Sequence, residues 1–284
     1  MLKGEYYCLV AGLPDLVFGQ NSAPVKSRIF LEELRQQLHS SDYKLIEYLF
    51  LPFDNLNLLN ILLKQNKPYF YPGIYSKQEI ESQLSPDNEE MRLPQYMFIF
   101  MNQIKNSDPK PEDMEAENGL SILFYEHALN CSNTFLQQWF RFEINLKNVI
   151  TAFNCKLYNY NLGEQLLKVN GANAVYTLLI ENKLKPNYFE ELLPYYDEVL
   201  KIADSELERL EKEKAIDKLK WLYLDEHTFF HFFTIEKILA YTIKLLLIER
   251  WMKLDKDTGK ELLNKLIEEF TKNYEFPEEF NLIK

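Results

Sequence analysis

Between Leu120 and Tyr158 the chain reads "LSILFYEHALNCSNTFLQQWFRFEINLKNVITAFNCKLY", without a glycine or a proline. Strands in globular proteins average about five or six residues, so a breaker-free stretch of this length demands one long helix or two nearly continuous ones. Glycine is scarce throughout, with eight in 284 residues, which argues against a many-turned β architecture. Only "YYCLVAG" leaves room for a short strand, and it fits a first helical turn equally well. The expected fold class is all-α.

Other helices follow from apolar spacing. Ser27 to Leu38 sets Phe30, Leu31, Leu34 and Leu38 on one face, with Ser27 as the expected cap. "DYKLIEYLF" continues with Asp42 as the expected N-cap, Pro52 breaks the pattern, and Asp54 restarts it into "NLNLLNILLKQ". "NKPYFYPGIYS" is a loop by its prolines and glycine, and "SKQEIESQL" and "LPQYMFIFMNQI" are further helices. Residues 106–119, "NSDPKPEDMEAENG", are the most polar stretch and the expected linker. Short helices split by Pro186 and Pro194 come next, then a charged helix over 205–223 supported by Glu208 with Lys212, and two last helices over 234–253 and 257–273 joined by "DKDTG".

A formal charge of −11 repels phosphate backbones and anionic headgroups, which excludes nucleic acid as the main partner. Lys212, Lys214, Lys218 and Lys220 alternate with Glu208, Glu211, Glu213 and Asp217, as on a solvated helix face. Cys8, Cys131 and Cys155 are odd in number and far apart, the pattern of reduced packing residues in a cytosolic protein. The first residues lack a cleavage pattern for a signal peptide, and the most apolar window, "FFTIEKILAYTIKLLLIERW", carries Glu236, Lys237, Lys244, Glu249 and Arg250, which makes a direct membrane span costly.

Three motifs invite an enzymatic or ligand-binding reading and do not sustain it. "EHTFFH" puts His227 and His231 four apart, which a helix would bring to one face, but the residue after the first histidine is Thr228 and the metalloprotease glutamate is absent. "GQNSAPVKS" has Val25 where a phosphate-binding loop needs its second glycine. The acidic pairs in "NEEM", "FEELL" and "FPEEF" are the ordinary acids of helix surfaces. No catalytic residue, cofactor or metal is expected.

What remains is a repetition. "NLLNIL" at residues 57–62 and "NLKNVI" at 145–150 share two asparagines three apart followed by aliphatics. On a helix each pair lies along one face. Asparagine is a poor helix former and costly to bury, so such amides need hydrogen-bond partners, expected across a helix–helix contact. Two segments requiring the same unusual environment suggest a duplicated unit.

On these residues the chain resembles the family of central-stalk subunits, designated C or d, of the rotary V-type and A/V-type ATPases. "FEINLKNVITAF", with Glu143 and Asn145, is similar to that family's middle repeat, "DNLNLLNILLK" to its first, and "SSDYKLIEYL" to the element before the first. "FTIEKILAYTIKLLLIERW" resembles the last repeat, with Glu249 at its acidic position and "RWMKL" in place of the Asn-Ile pair that follows. The opening "YYCLVAGLPDLVFG" is similar instead to a divergent bacterial group associated with A/V-type ATPase gene clusters in Bacteroides-like bacteria.

The resemblance implies an all-helical, funnel-like, pseudo-threefold arrangement of repeats over 1–105, 106–186 and 187–284. It implies Asn57, Asn60, Glu143, Asn145, Asn148 and Glu249 as framework positions, with Arg141 a candidate charge partner. It also implies a non-catalytic central-stalk adaptor without cofactor, cytoplasmic and peripheral at the inner membrane. Its partners would be the rotor shaft subunits and the proteolipid ring, coupling ATP hydrolysis or synthesis to ion transport. The alternative is a free-standing helical scaffold or regulatory module built from the same repeat.

Overall fold

The computed structural model describes residues 5–65, 67–70, 72–85 and 91–254. Among these residues the chain forms thirteen α-helices and one short 3-10 turn, Pro186–Tyr188, with no strand. The fold is all-α. "YYCLVAG" becomes a short helix, α1 (Tyr7–Ala11). The helix expected over 257–273 and the turn before it lie outside the described residues.

The first half holds α2 (Ser27–Gln37), α3 (Ser40–Glu47), α4 (Leu51–Leu62), α5 (Lys77–Gln83) and α6 (Gln95–Asn106). The break expected at Pro52 falls at residues 48–50, and the proline itself belongs to the helix that follows. It sits in the first turn of α4, where its missing N–H has no helical partner to lose. Asp42 lies inside the first turn of α3 and takes the Tyr6 hydroxyl at 2.5 Å, so it is no cap. Ser76 caps α5 through a capping box with Glu79, whose carboxylate accepts the Ser76 N–H at 2.7 Å. The expected linker is a loop only as far as residue 112, because α7 (Asp113–Leu129) starts with two acids in its first turn, where the helix dipole favours them.

The breaker-free stretch resolves into α7 and α8 (Thr134–Tyr158), which fold back on each other around Asn130–Asn133 instead of continuing. Asn133 accepts the Leu136 N–H at 3.0 Å and so fixes the start of α8, while Asn159, left-handed at φ 57°, ends it. Phe124 meets Phe140 edge to face at 5.4 Å across this hairpin. After it come α9 (Leu162–Gln165), α10 (Ala174–Ile180), α11 (Tyr196–Asp204), α12 (Arg209–His227) and α13 (Ile235–Leu254). On α12 the four-residue pair is Arg209 with Glu213, while Lys212 turns to the Ala203 carbonyl at 2.7 Å instead of Glu208.

The packing order places the site. Helix α4 lies on α7, α7 on α8, α8 on α11, α11 on α12, α12 on α13, and α13 returns to α2 and α3. One hydrophobic cluster runs through this circuit from Tyr6 to Leu245, and a smaller one joins Trp221, Leu247 and Ile248. Among the described residues no helix is long and apolar enough to cross a membrane. Cys131 and Cys155 are buried as expected, whereas Cys8 is exposed.

Candidate functional site

Helix α4 buries four polar side chains: Asp54, Asn55, Asn57 and Asn60. Three of them, spaced three residues apart, grip the backbone at Lys67, Phe70, Ile74 and Tyr75. Asn60 donates to the Lys67 carbonyl at 2.7 Å, and its oxygen faces the Lys67 N–H at 3.4 Å. Asn57 donates to the Phe70 carbonyl at 2.9 Å and accepts the Phe70 N–H at 2.7 Å. Asp54 accepts the N–H groups of Ile74 at 3.0 Å and Tyr75 at 3.1 Å. The helix thus supplies, at its own pitch, the donors and acceptors that a loop backbone needs when it is buried. Asn55 takes the Tyr96 hydroxyl at 2.7 Å and ties α4 to α6.

Burial raises the Asp54 carboxyl to about 7, against the two N–H bonds that favour its charge and with the help of nearby Glu47 and Glu79. Gly73 is what lets the loop come so close. A Cβ there would stand 2.6 Å from Asp54 Oδ1 and 3.0 Å from Asn57 Nδ2, and both atoms are held by their bonds to the loop. Gly73→Ala is expected to cost about 1–3 kcal/mol of stability. Urea denaturation measures it, and an unchanged midpoint and slope would mean that the loop is not held against α4.

Helix α8 repeats the device with a different reach. Asn148 donates to the Leu167 carbonyl and accepts the Leu167 N–H, each at 2.9 Å, as Asn57 does for Phe70. Asn145 donates to the Leu192 carbonyl at 2.9 Å, but its buried oxygen has no hydrogen-bond partner among the described residues. Both expected amide pairs are therefore buried, and the partners differ in kind from the expectation: they are backbone groups of returning segments, not side chains of a facing helix. The position three before Asn145 is Phe142, which stacks on Tyr223 at 4.1 Å and 8° where α4 has a carboxylate.

The two framework acids bind elsewhere in the circuit. Glu143 pairs with Lys220 of α12 at 3.1 Å, and Arg141, exposed on the neighbouring face, is not its partner. Burial opposes the Lys220 charge, but Glu143 and Asp217 outweigh it and hold the ammonium above the usual lysine range. Asp217 is 1% exposed and accepts from Arg250 Nη1 at 2.7 Å and Trp251 Nε1 at 3.0 Å, which links α8, α12 and α13 in one polar seam. Glu249 receives the N–H and the hydroxyl of Ser27, each at 2.6 Å. Ser27 is thus the first residue of α2 and not its cap; the carboxylate at that helix's positive end comes from α13.

The two histidines do not share a helix face, because α12 ends at His227 and His231 lies in the turn beyond it. His227 stacks on Tyr223 at 3.7 Å and lies 2.9 Å from that residue's carbonyl. His231 stands 3.6 Å from Glu236, which also takes an amide proton from Asn133 at 3.2 Å. They line a recess of about 220 Å³ with Asn133, Gln138 and Glu236. A second recess of about 260 Å³ shares Gln138 and His227 as lining residues and is also lined by Arg141, Glu191 and Leu192. Among the described residues no group of three or more His, Cys, Asp or Glu is placed to hold a metal ion.

A family model described as "Protein of unknown function (DUF2764)" matches residues 3–274 of the chain. No curated protein matches, and no solved structure does.

Proposed function

The chain belongs to the family described as "Protein of unknown function (DUF2764)", and we propose that it is the non-catalytic central-stalk adaptor of a V/A-type rotary ATPase, seated between the rotor shaft and the proteolipid ring. The observation that carries this reading is the recurrence of one device on two helices. On α4 and on α8 a buried pair of asparagines, three residues apart, holds down backbone that returns to the helix, one segment on α4 and two on α8. A duplicated unit with α13 as its divergent third copy accounts for this, and for a packing order in which the last helix among the described residues comes back to the first ones.

An adaptor between two rotors must pass torque without deforming. Close packing supplies low compressibility, and a loop bonded to its helix at several points cannot slide along it. The polar seam from Glu143 through Lys220 and Asp217 to Arg250 adds cross-links between helices in the same way. Peripheral attachment at the inner membrane through these partners follows from the same reading.

The test is reconstitution of the full chain with the shaft protein and the proteolipid ring encoded by the same genome. Co-purification with both, and loss of ATP-driven ion transport when the chain is omitted, is the expected result. Failure to associate with either leaves the free-standing scaffold as the better reading. Gene adjacency to the other rotary ATPase genes is a quick preliminary check in the same direction.

A further inference from the structure

The turn between α12 and α13 carries four phenylalanines, and three of them face solvent: Phe229 is 67%, Phe230 81% and Phe232 63% exposed. The turn is anchored at both ends. The Thr228 hydroxyl donates to the Leu224 carbonyl at 2.7 Å, and the His231 N–H to the Thr228 carbonyl at 3.0 Å. Phe233 packs on Tyr7 at 4.5 Å, and its carbonyl accepts the Tyr6 N–H at 2.7 Å. Phe229 and Phe230 meet edge to face at 5.0 Å. Singly exposed apolar residues are ordinary on any surface; three large rings within four positions of an anchored turn form a patch.

We propose that this turn is a docking knob for a protein partner that offers an apolar pocket rimmed by basic side chains. The area is that of an anchor, one part of a larger interface. Three phenylalanines of about 200 Å² each, at these exposures, present roughly 400 Å². That is about half of the ~800 Å² that each side of a standard interface buries. A second copy of this chain would bring the same acidic flanks against each other, which disfavours knob against knob.

The charges point to a separate protein. No Lys or Arg occurs from Leu222 to Glu236, and Lys237 is the first beyond the turn. A loop that dips into an anionic lipid surface relies on basic flanks, so a membrane is the wrong occupant. The exposed acids beside the knob are Glu226, on the last turn of α12, Asp225, which shares its charge with Lys244, and Glu5, which takes the Tyr7 hydroxyl at 2.6 Å. They match a basic rim. The chain's own residues 255–284 hold eight Asp and Glu against five Lys, the same sign as these flanks.

The experiment places the photo-crosslinker p-benzoylphenylalanine at Phe230 of the full chain in its native cells. Cross-linked residues are identified by mass spectrometry, and the purified partner is titrated with wild type and with F229S/F230S/F232S. The expected result is cross-linking to apolar residues of one protein beside Lys or Arg, an affinity that falls with added salt, and a loss of at least about tenfold in the triple variant without a lower melting temperature. Cross-links to a second copy, to residues 255–284 or to lipid overturn the proposal. So do binding of wild type to phosphatidylglycerol vesicles that the variant loses, no cross-link, or equal affinities. A partner that is neither shaft nor ring keeps the knob and leaves the adaptor reading to the reconstitution; a shaft or ring held equally by the triple variant keeps the adaptor and removes the knob.

Discussion

Replacing Asn148 by alanine is expected to remove about 3–4 kcal/mol of stability. Asn148 is fully buried and satisfies both backbone groups of Leu167, itself 1% exposed. Alanine leaves an N–H and a carbonyl without partners, at roughly 1–3 kcal/mol each. In a chain of this size 1 kcal/mol moves the melting temperature by about 2–4 °C, so a drop on the order of 10 °C should be seen by calorimetry. Asn145→Ala should cost far less, about 1 kcal/mol, because it loses one bond to Leu192 and also removes an oxygen that already has no partner among the described residues. Lys156→Ala, on the exposed side of α8, serves as the reference and should stay within about 0.5 kcal/mol of wild type. Equal effects at Asn145 and Asn148 would contradict the bonding described for the second clamp.

That pair of asparagines can be found in the sequence because an amide on an apolar helix stands out, and standing out twice makes it a pattern. Its partners cannot. Lys67, Phe70, Leu167 and Leu192 contribute only backbone, which carries no residue signature, so a facing helix is the natural expectation and the wrong one. Asp54 is legible only as a restart of helical spacing after Pro52. Its role depends on Gly73 allowing the loop to approach, a distance that no spacing rule contains. Glu143 lies close to Arg141 in the chain, yet residues two apart on a helix point to different sides, and its true partner Lys220 is 77 positions away. Glu249 meets Ser27 across 222 positions. The exposed rings at 229, 230 and 232 are hidden for a different reason: a phenylalanine in a core and one on a turn are the same letter. The available signal is their density without helical period between His227 and Thr234. The helices themselves are readable wherever breakers and apolar spacing agree, and least so at their ends, where Ser27 and Asp42 fall inside the first turn and not at the cap expected of them.

The second large effect is a stability that falls as pH rises from about 4 to about 7, and Asp54 is its source. In the unfolded chain its carboxyl titrates near the ordinary value of 3.8, and in the fold burial moves it to about 7. Between those two values the folded state holds a proton that the unfolded state has released. Stability from this group is therefore complete below about pH 4, declines from there to about pH 7, and stays low above it. The difference between 3.8 and about 7 corresponds to a ceiling of about 4 kcal/mol. Glu47, raised in the same direction by burial, adds to the slope, while His127, lowered by burial, works against it near its own range. The difference between wild type and Asp54→Asn isolates Asp54, because the neutral amide resembles the protonated acid and keeps one acceptor for the N–H groups of Ile74 and Tyr75. Measured by urea denaturation from pH 4 to pH 8, the variant should gain on wild type progressively, by up to about 4 kcal/mol at the upper end. Parallel curves for the two proteins would mean that Asp54 is ionised throughout and that its two N–H bonds outweigh its burial. The clamp on α4 would then be an anion site held by the loop, with the greatest strength at high pH and not at low.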